Sequence, residues 1–260
     1  MSATLTVTVV GCSGSFPGPR GTASCYLIES VVDEVTTRVV LDLGNGSLGP
    51  LQSHVAPTSL DAILISHLHA DHFMDLCGLY VLRKYDPRQS PDHPQVVYGP
   101  ADLGRRLQLA YYGCEEPEMS AQLDTRPVSH GDPLEIGSLR ITPHHVDHPI
   151  EAYGYRFESP AGTVAFSGDT DTTPALTPLL SGAGLALVDA AFLEGRDTVR
   201  GIHLTARRAV EAALEAGGIT RLVLTHIPPW NDPEDTRAEA ATLWPDIEVA
   251  YPGARYVLSS

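Results

Sequence analysis

The chain is predicted to be a layered α/β sandwich, on three observations. Short apolar runs of the kind found in buried strands recur along its 260 residues. They occur in two successive rounds, each of strands followed by helical periodicity. Histidine or aspartate stands where several of these runs end. A layered α/β fold can reach this length as one unit, so residues 1–260 are read as a single domain.

In chain order, "TLTVTVVG" alternates threonine with apolar residues, and "SCYLIES" and "RVVLDLG" follow as strands separated by glycine-containing turns. "LDAILIS" is nearly continuously apolar, as in a strand buried on both faces. From Phe73 to Tyr85 the spacing of Phe73, Leu76, Leu79, Tyr80 and Arg83 is helical, so "HLHADH" falls on the loop between strand and helix. "SPDHP" reads as a surface loop, "QVVYG" as a strand, residues 101–112 as a helix and residues 113–123 as an exposed acidic loop. Residues 124–167 form a second run of strands ending in "TVAFSGDT", and "GLALVDAAF" adds another. "TARRAVEAALEAGG" is helical, with Ala206, Ala209, Val210, Ala213 and Leu214 as its apolar stripe and Gly217 and Gly218 as its stop. "RLVLTH" is a strand ending in histidine. Asp232 and Pro233 then read as N-cap and first position of a last helix, with Glu234 and Asp235 in its first turn.

Thirty-two acidic residues against 17 basic ones give a net charge of −15. Such a surface repels polyanions, and the pairs in "LGRRL" and "ARRA" read as solvated helix faces, so a large nucleic acid is disfavoured as partner. Bound divalent cations could still attract one small phosphate. No apolar run nears the roughly 18 residues needed to cross a bilayer. The start "MSATLTVTVV" lacks a basic leader region, so a soluble, cytoplasmic protein with no membrane partner is expected. Cys12, Cys25, Cys77 and Cys114 form no CxxC pair and read as small, buried, reduced residues.

The chemistry concentrates in "HLHADH". His67 and His69, two apart at a strand end, can direct both rings to one side, while Asp71 and His72 aim at a neighbouring point. Four ligands from six residues hardly converge on one ion, which favours two metals. Imidazole with carboxylate suits zinc, manganese, iron or cobalt alike.

This string resembles the signature of the metallo-β-lactamase superfamily. "VTVVGCSGS", "VVLDLGNGSL", "DHPIEAYGYRF", "FSGDT" and "LVLTHIPPW" are similar to its other motifs, in the same order and over nearly the whole chain. The resemblance implies an αβ/βα four-layer sandwich with two divalent ions, zinc foremost and manganese or iron as alternatives. It implies that His67, His69 and His148 hold one ion, that Asp71, His72 and His226 hold the other, and that Asp169 bridges them. A water whose pKa the ions lower towards about 7 would be the nucleophile. Asp42 would orient a ligand. The family's histidine stands six residues before a Gly-Tyr pair, as His148 does before Gly154, which leaves His144 and His145 as strand or loop residues. His54, His93 and His130 match no motif and read as surface or capping residues.

Within the superfamily, "GYRF", "SGDT", "DAAF", "HLTARRA" and "LTH" most resemble the phosphodiesterase branch that contains ribonuclease Z. That likeness implies a catalytic group in which His203 protonates the leaving oxygen and Asp189 orients it, an aspartate where ribonuclease Z has glutamate. Asp71 is counted in this group as well as among the ligands. Ribonuclease Z carries a long tRNA-gripping arm between its third and fourth motifs, whereas residues 156–166 leave room only for a tight hairpin. "GCSGS", "SHLHADH" and "THIPPW" resemble actinobacterial atypical cyclic-nucleotide phosphodiesterases. The implied reaction is hydrolysis of 3′,5′-cyclic AMP to AMP. The alternatives are a tRNA 3′-end endonuclease and a thiol-ester or lactone hydrolase. Relatives are often dimers, which leaves a homodimer open without the sequence deciding it; Phe16, Tyr153 and Trp230 are loop aromatics near the motifs.

Overall fold

The computed structural model describes residues 2–88 and 93–260, so most of the "SPDHP" loop lies outside the described residues. Two seven-stranded sheets make up the framework. The first contains β1 (Ala3–Gly11), β2 (Cys25–Val32), β3 (Val35–Leu41), β4 (Ala62–Leu64), β5 (Gln95–Gly99), β6 (Leu123–Pro127) and, on its outer edge beside β1, β14 (Arg255–Ser259). The second contains β7 (Leu134–Ile136), β8 (Leu139–His145), β9 (Tyr153–Ser159), β10 (Gly162–Phe166), β11 (Leu185–Asp189), β12 (Arg221–Thr225) and β13 (Glu248–Val249). Each sheet is antiparallel on one side and parallel on the other, the change falling at β3 and at β10.

The parallel halves need crossovers, and these carry the helices. α1 (Leu48–Leu51), α2 (Ala70–Phe73), α3 (Leu76–Tyr85) and α4 (Leu103–Tyr112) belong to the first sheet; α5 (Leu176–Leu180), α6 (Ala206–Ala216) and α7 (Pro233–Ala241) belong to the second. Side chains from both sheets, among them Leu5, Tyr26, Leu64, Tyr155, Phe157 and Phe166, form the central core. On one outer face Val40, Ile63 and Val97 pack against Leu76, Tyr80 and Leu107. On the other, Ala186, Val188 and Leu224 pack against Leu179, Ala209 and Val210. The layers therefore run helix, sheet, sheet, helix, the αβ/βα sandwich. Strand β4 is buried throughout, in keeping with its apolar run.

Several local expectations change. The Phe73–Tyr85 helix is interrupted, because the Asp75 carboxylate accepts the N–H groups of Gly46 (3.0 Å) and Leu48 (2.8 Å). The one-turn α2 is thereby left to carry Asp71 and His72 separately from α3. Leu214 is 53% exposed and lies outside the stripe that Ala206, Ala209, Val210 and Ala213 bury. Residues 113–123 include a short 3₁₀ turn, Pro117–Ala121, that buries Met119. Cys12 and Cys25 are buried and Cys77 half-buried, but Cys114 is exposed in the turn after α4; all four are free thiols. Arg208 is not on a solvated face: its guanidinium is drawn in to the Asp171 carboxylate. Asp232 does cap α7, accepting the Glu234 N–H at 3.0 Å. Strands β9 and β10 are joined through Pro160 and Ala161 alone, with Ser159 opposite Gly162. Among the described residues, no helix is long and apolar enough to cross a membrane.

The energetics of this core are testable. Phe157→Ala, in the central layer, should lower unfolding free energy by roughly 3–5 kcal/mol in chemical denaturation. Leu214→Ala should stay within about 0.5 kcal/mol of wild type, as exposed positions do.

Candidate metal centre

The polar residues that follow the strands gather along one edge of the sandwich. Asp42 follows β3, and Ser66 and His67 follow β4 after one residue. Asp169 lies just beyond β10, Asp189 ends β11 and His226 follows β12. Two ties hold the sheets together there. Tyr153 N–H donates to the Ser66 carbonyl (2.9 Å), and His67 forms a β-bridge with Ala152. Ser13 likewise bridges Ile227, which brings the glycine loop after β1 against the His226 backbone. A Cβ on Gly14 would lie 2.2 Å from the His226 carbonyl oxygen, so only glycine allows this approach. Asp42 (φ +57°) and His226 (φ +62°) are both non-glycine residues in the left-handed region.

Two groups of donor atoms result. In the first, His69 Nδ1 lies 3.0 Å from His67 Nε2 and 3.1 Å from His148 Nε2. In the second, His226 Nε2 lies 3.1 Å from both His72 Nε2 and Asp71 Oδ2. Asp169 Oδ2 stands between the groups, 3.3 Å from His72 Nε2 and His226 Nε2 and 3.6 Å from His67 Nε2. A partly overlapping set, Asp169, Asp189, His203 and His226, also brings its donor atoms within 4.8 Å of one another.

The surrounding hydrogen bonds set the tautomers. His72 Nδ1 donates to Asp42 Oδ2 at 2.7 Å, and His148 Nδ1 donates to the Ile202 carbonyl at 2.9 Å. Ser66 Oγ donates to Asp42 (2.9 Å), which leaves it able to accept from His67 Nδ1 (3.1 Å). Each of these rings is thus left with an Nε2 lone pair aimed into the cluster. The three nitrogens of the first group cannot satisfy one another, because at most a proton or two can be shared among lone pairs that converge. The Asp169 carboxylate adds a second sign of the same kind: it is buried, and its Oδ1 has no hydrogen-bond partner. Burial alone would raise its pKa, but His226, His72 and His67 hold it well below the usual carboxylate range. Burial, followed by the neighbouring His72, pushes His67 well below the normal imidazole range and so keeps it a neutral donor. Nitrogen lone pairs facing ionised carboxylates, buried in the second group and at His67 but half-buried at His148 and exposed at His69, are the donor chemistry of divalent cation sites, and the residues fit such ions.

Beside the second group, His203 Nδ1 donates to Asp189 Oδ2 at 2.9 Å. Asp189 also accepts the N–H groups of Thr170 (3.1 Å) and Ala191 (3.0 Å), so its side chain is held from three directions. Burial disfavours the His203 cation, but the Asp189 and Asp169 carboxylates outweigh it and the pKa is raised. The ring stands 5.2 Å from that of His226 and 5.5 Å from that of His148.

The other histidines lie apart from these groups. His54 and His93 are exposed. His130 accepts the His145 N–H at 3.2 Å, and the buried His144 is pushed down to about 4, chiefly by burial. Of the aromatics, Tyr153 donates to Glu151 (2.8 Å), whereas Phe16 and Trp230 form an exposed pair with centroids 5.3 Å apart. Two contributors escaped the sequence reading: Ser66, which joins Asp42 to His67, and Asp171. Only the position of Asp171, two residues beyond Asp169 in "GDTDT", hinted at a role.

Residues 37–227 match the model of the beta-lactamase superfamily domain. An uncharacterized protein of Mycobacterium leprae (strain TN) is 42% identical, the match covering 91% of this chain and 82% of that one. Ribonuclease Z of Methanopyrus kandleri is 26% identical, with 97% and 98% covered. The crystal structure of the metallo-beta-lactamase fold protein YhfI from Bacillus subtilis aligns with a TM-score of 0.85 at 26% identity, covering 98% of this chain and 99% of that one.

The ring-orienting role of Asp42 gives a direct test. Asp42→Asn should weaken metal affinity by roughly 10–100-fold, read by competition with a chelating dye, while circular dichroism stays unchanged. Equal affinity in the two proteins would show that Asp42 serves the fold alone.

Proposed function

Since the chain belongs to the metallo-β-lactamase superfamily, a family of metallo-hydrolases, we propose that residues 1–260 act as one metal-dependent phosphodiesterase domain. Its best-matched substrate is a small phosphodiester, 3′,5′-cyclic AMP, hydrolysed to AMP. The observation that carries this reading is the buried His203–Asp189 pair beside the donor groups. Ester hydrolysis with a good leaving group has little need of a proton donor there, whereas expulsion of a ribose alkoxide does.

His67, His69 and His148 would hold one ion, and Asp71, His72 and His226 the other, with Asp169 serving both. Two divalent ions, zinc foremost and manganese or iron as alternatives, would supply Lewis acidity and make water nucleophilic near neutral pH. The protein's own part follows from its hydrogen bonds. Asp42, Ser66 and the Ile202 carbonyl fix the rings so that donor atoms are in place before substrate arrives. Asp189 holds His203 by Nδ1, which leaves Nε2 to deliver a proton to the leaving oxygen, and the Asp189 carboxylate stabilises the imidazolium before that transfer.

Small size is supported by the two-residue β9–β10 turn, the tight hairpin expected between the motifs where ribonuclease Z carries its arm, and by the net charge of −15. A second reading, tRNA 3′-end cleavage, draws on the 26% identity to a ribonuclease Z over nearly the whole chain. It lacks a surface to grip a polyanion.

With metals supplied, the protein should convert cyclic AMP to AMP and leave a precursor tRNA nearly intact. His203→Ala should lower kcat by roughly 10²–10⁴-fold, in the range of general acid catalysis. Cleavage of other phosphodiesters without any AMP from cyclic AMP would remove the nucleotide assignment, and efficient tRNA trimming would favour the second reading.

A further inference from the structure

His203 sits on a long irregular loop. Residues 193–204 contain no helix or strand, and the loop is closed at its neck by a bridge between Phe192 and Thr205. Its first half is anchored internally: Leu193 N–H donates to Asp197 (2.8 Å), and Arg196 pairs with Asp197 and reaches Asn231 Oδ1 (2.7 Å). The second half, which carries His203, is held differently. Besides the contacts of the Ile202 carbonyl with His148 and of the His203 ring with Asp189, it is anchored by one carboxylate outside the loop, that of Asp171.

Asp171 is only 1% exposed. Its Oδ2 accepts from Arg200 Nε at 2.6 Å and from the Gly201 N–H at 2.8 Å. Its Oδ1 accepts from the Thr172 N–H at 2.7 Å and from the Arg208 guanidinium at the start of α6. The backbone of Asp171 is tied in as well, its N–H donating to the Asp147 carbonyl at 2.9 Å. Gly201 has φ +75°, a conformation that suits glycine, and it precedes His203 by two residues. A loop of this length has many conformations of similar energy, so fixing its far end removes most of the freedom that would let His203 drift.

Resting on the reading of His203 as proton donor, we infer that Asp171 is a positioning residue. By clamping Arg200, Gly201 and Arg208, it seats the His203 loop against Asp189 and the donor groups. Asp171 touches neither substrate nor reacting atoms and acts only through the loop. The clamp is needed in proportion to the proton the leaving group requires.

The test compares two substrates at saturating metal, so that any effect passing through the Ile202 carbonyl to His148 is not read. Cyclic AMP departs as an alkoxide and needs the proton; bis(p-nitrophenyl) phosphate departs as a stabilised phenolate and does not. Asp171→Asn should lower kcat on cyclic AMP by roughly 10–100-fold, a loss of the size expected when a catalytic group is misplaced, with KM little changed. The rate on bis(p-nitrophenyl) phosphate should stay within about threefold, because that reaction draws little on acid catalysis. Arg200→Gln, at a largely exposed position, removes one arm of the clamp while the buried Asp171 carboxylate keeps its pairing with Arg208. It should show the same selectivity at roughly 3–10-fold even if the Asn variant folds poorly. Equal losses on both substrates would overturn the proposal in favour of a general loosening of the site, and unchanged rates on both would overturn it outright. His203→Ala serves as reference. If it slows both substrates equally, the proton-donor reading itself fails and the clamp's role with it. If it discriminates while the Asp171 and Arg200 variants do not, only the clamp is refuted.

Discussion

The carboxylate of Asp169 must be ionised in a place with almost no water. Its Oδ2 faces three imidazole nitrogens at 3.3–3.6 Å, and its Oδ1 is buried without a partner. Charge of this kind persists in a protein interior only when countercharge surrounds it. The first sheet and its loops contribute His67, His69, Asp71 and His72, while the second contributes His148, Asp169 and His226. Each half pairs some of its own groups, Asp42 and Asp71 with His72 and Asp169 with His226, but the Asp169 carboxylate is surrounded only when His67 and His72 of the first half also reach it. The pairing of the sheets, their ties at Ser66–Tyr153 and Ser13–Ile227, and the close approach at Gly14 bring the two partial charge sets into register.

The two halves solve the problem of ring orientation in the same way. Asp42, after β3, receives the Nδ1–H of His72 and also holds the Ser66 N–H; Asp189, at the end of β11, receives the Nδ1–H of His203 and holds two further N–H groups. In each case a buried carboxylate serves backbone and imidazole at once, so the ring inherits the rigidity of the sheet. This arrangement suits a site whose chemistry depends on where lone pairs and protons point. Removal of either carboxylate would leave the ring in contact with its neighbours but without a defined tautomer.

Much of this was readable from the chain because the relevant signals are local. "HLHADH", the strand-then-helix rounds, the Asp232 cap and the short span between "GYRF" and "SGDT" depend on neighbours within a few positions. What escaped depends on distant partners. The break before α3 arises because Asp75 hydrogen-bonds a turn 27 to 29 residues earlier. Arg208 looked like a solvated face residue, yet its partner lies 37 residues away. Leu214 fitted a helical stripe by spacing, but the stripe actually covered by the sheet is narrower. Cys114 followed the general tendency of free cysteine to be buried until the turn after α4 placed it outside. Ser66 is ordinary in sequence and matters only because Asp42 is folded against it.

The left-handed backbone at Asp42 and His226 has a consequence for how such a protein can change. Each conformation costs on the order of 1 kcal/mol or more in a residue with a side chain, and glycine would accept it freely. Judged by backbone strain alone, both positions would therefore look like defects to be corrected. Relieving them would discard the ring orientation at one place and a donor atom at the other. Backbone ease and a working centre thus pull in opposite directions at these two residues, and the strain is held in place by the buried contacts that the Asp42 and His226 side chains make.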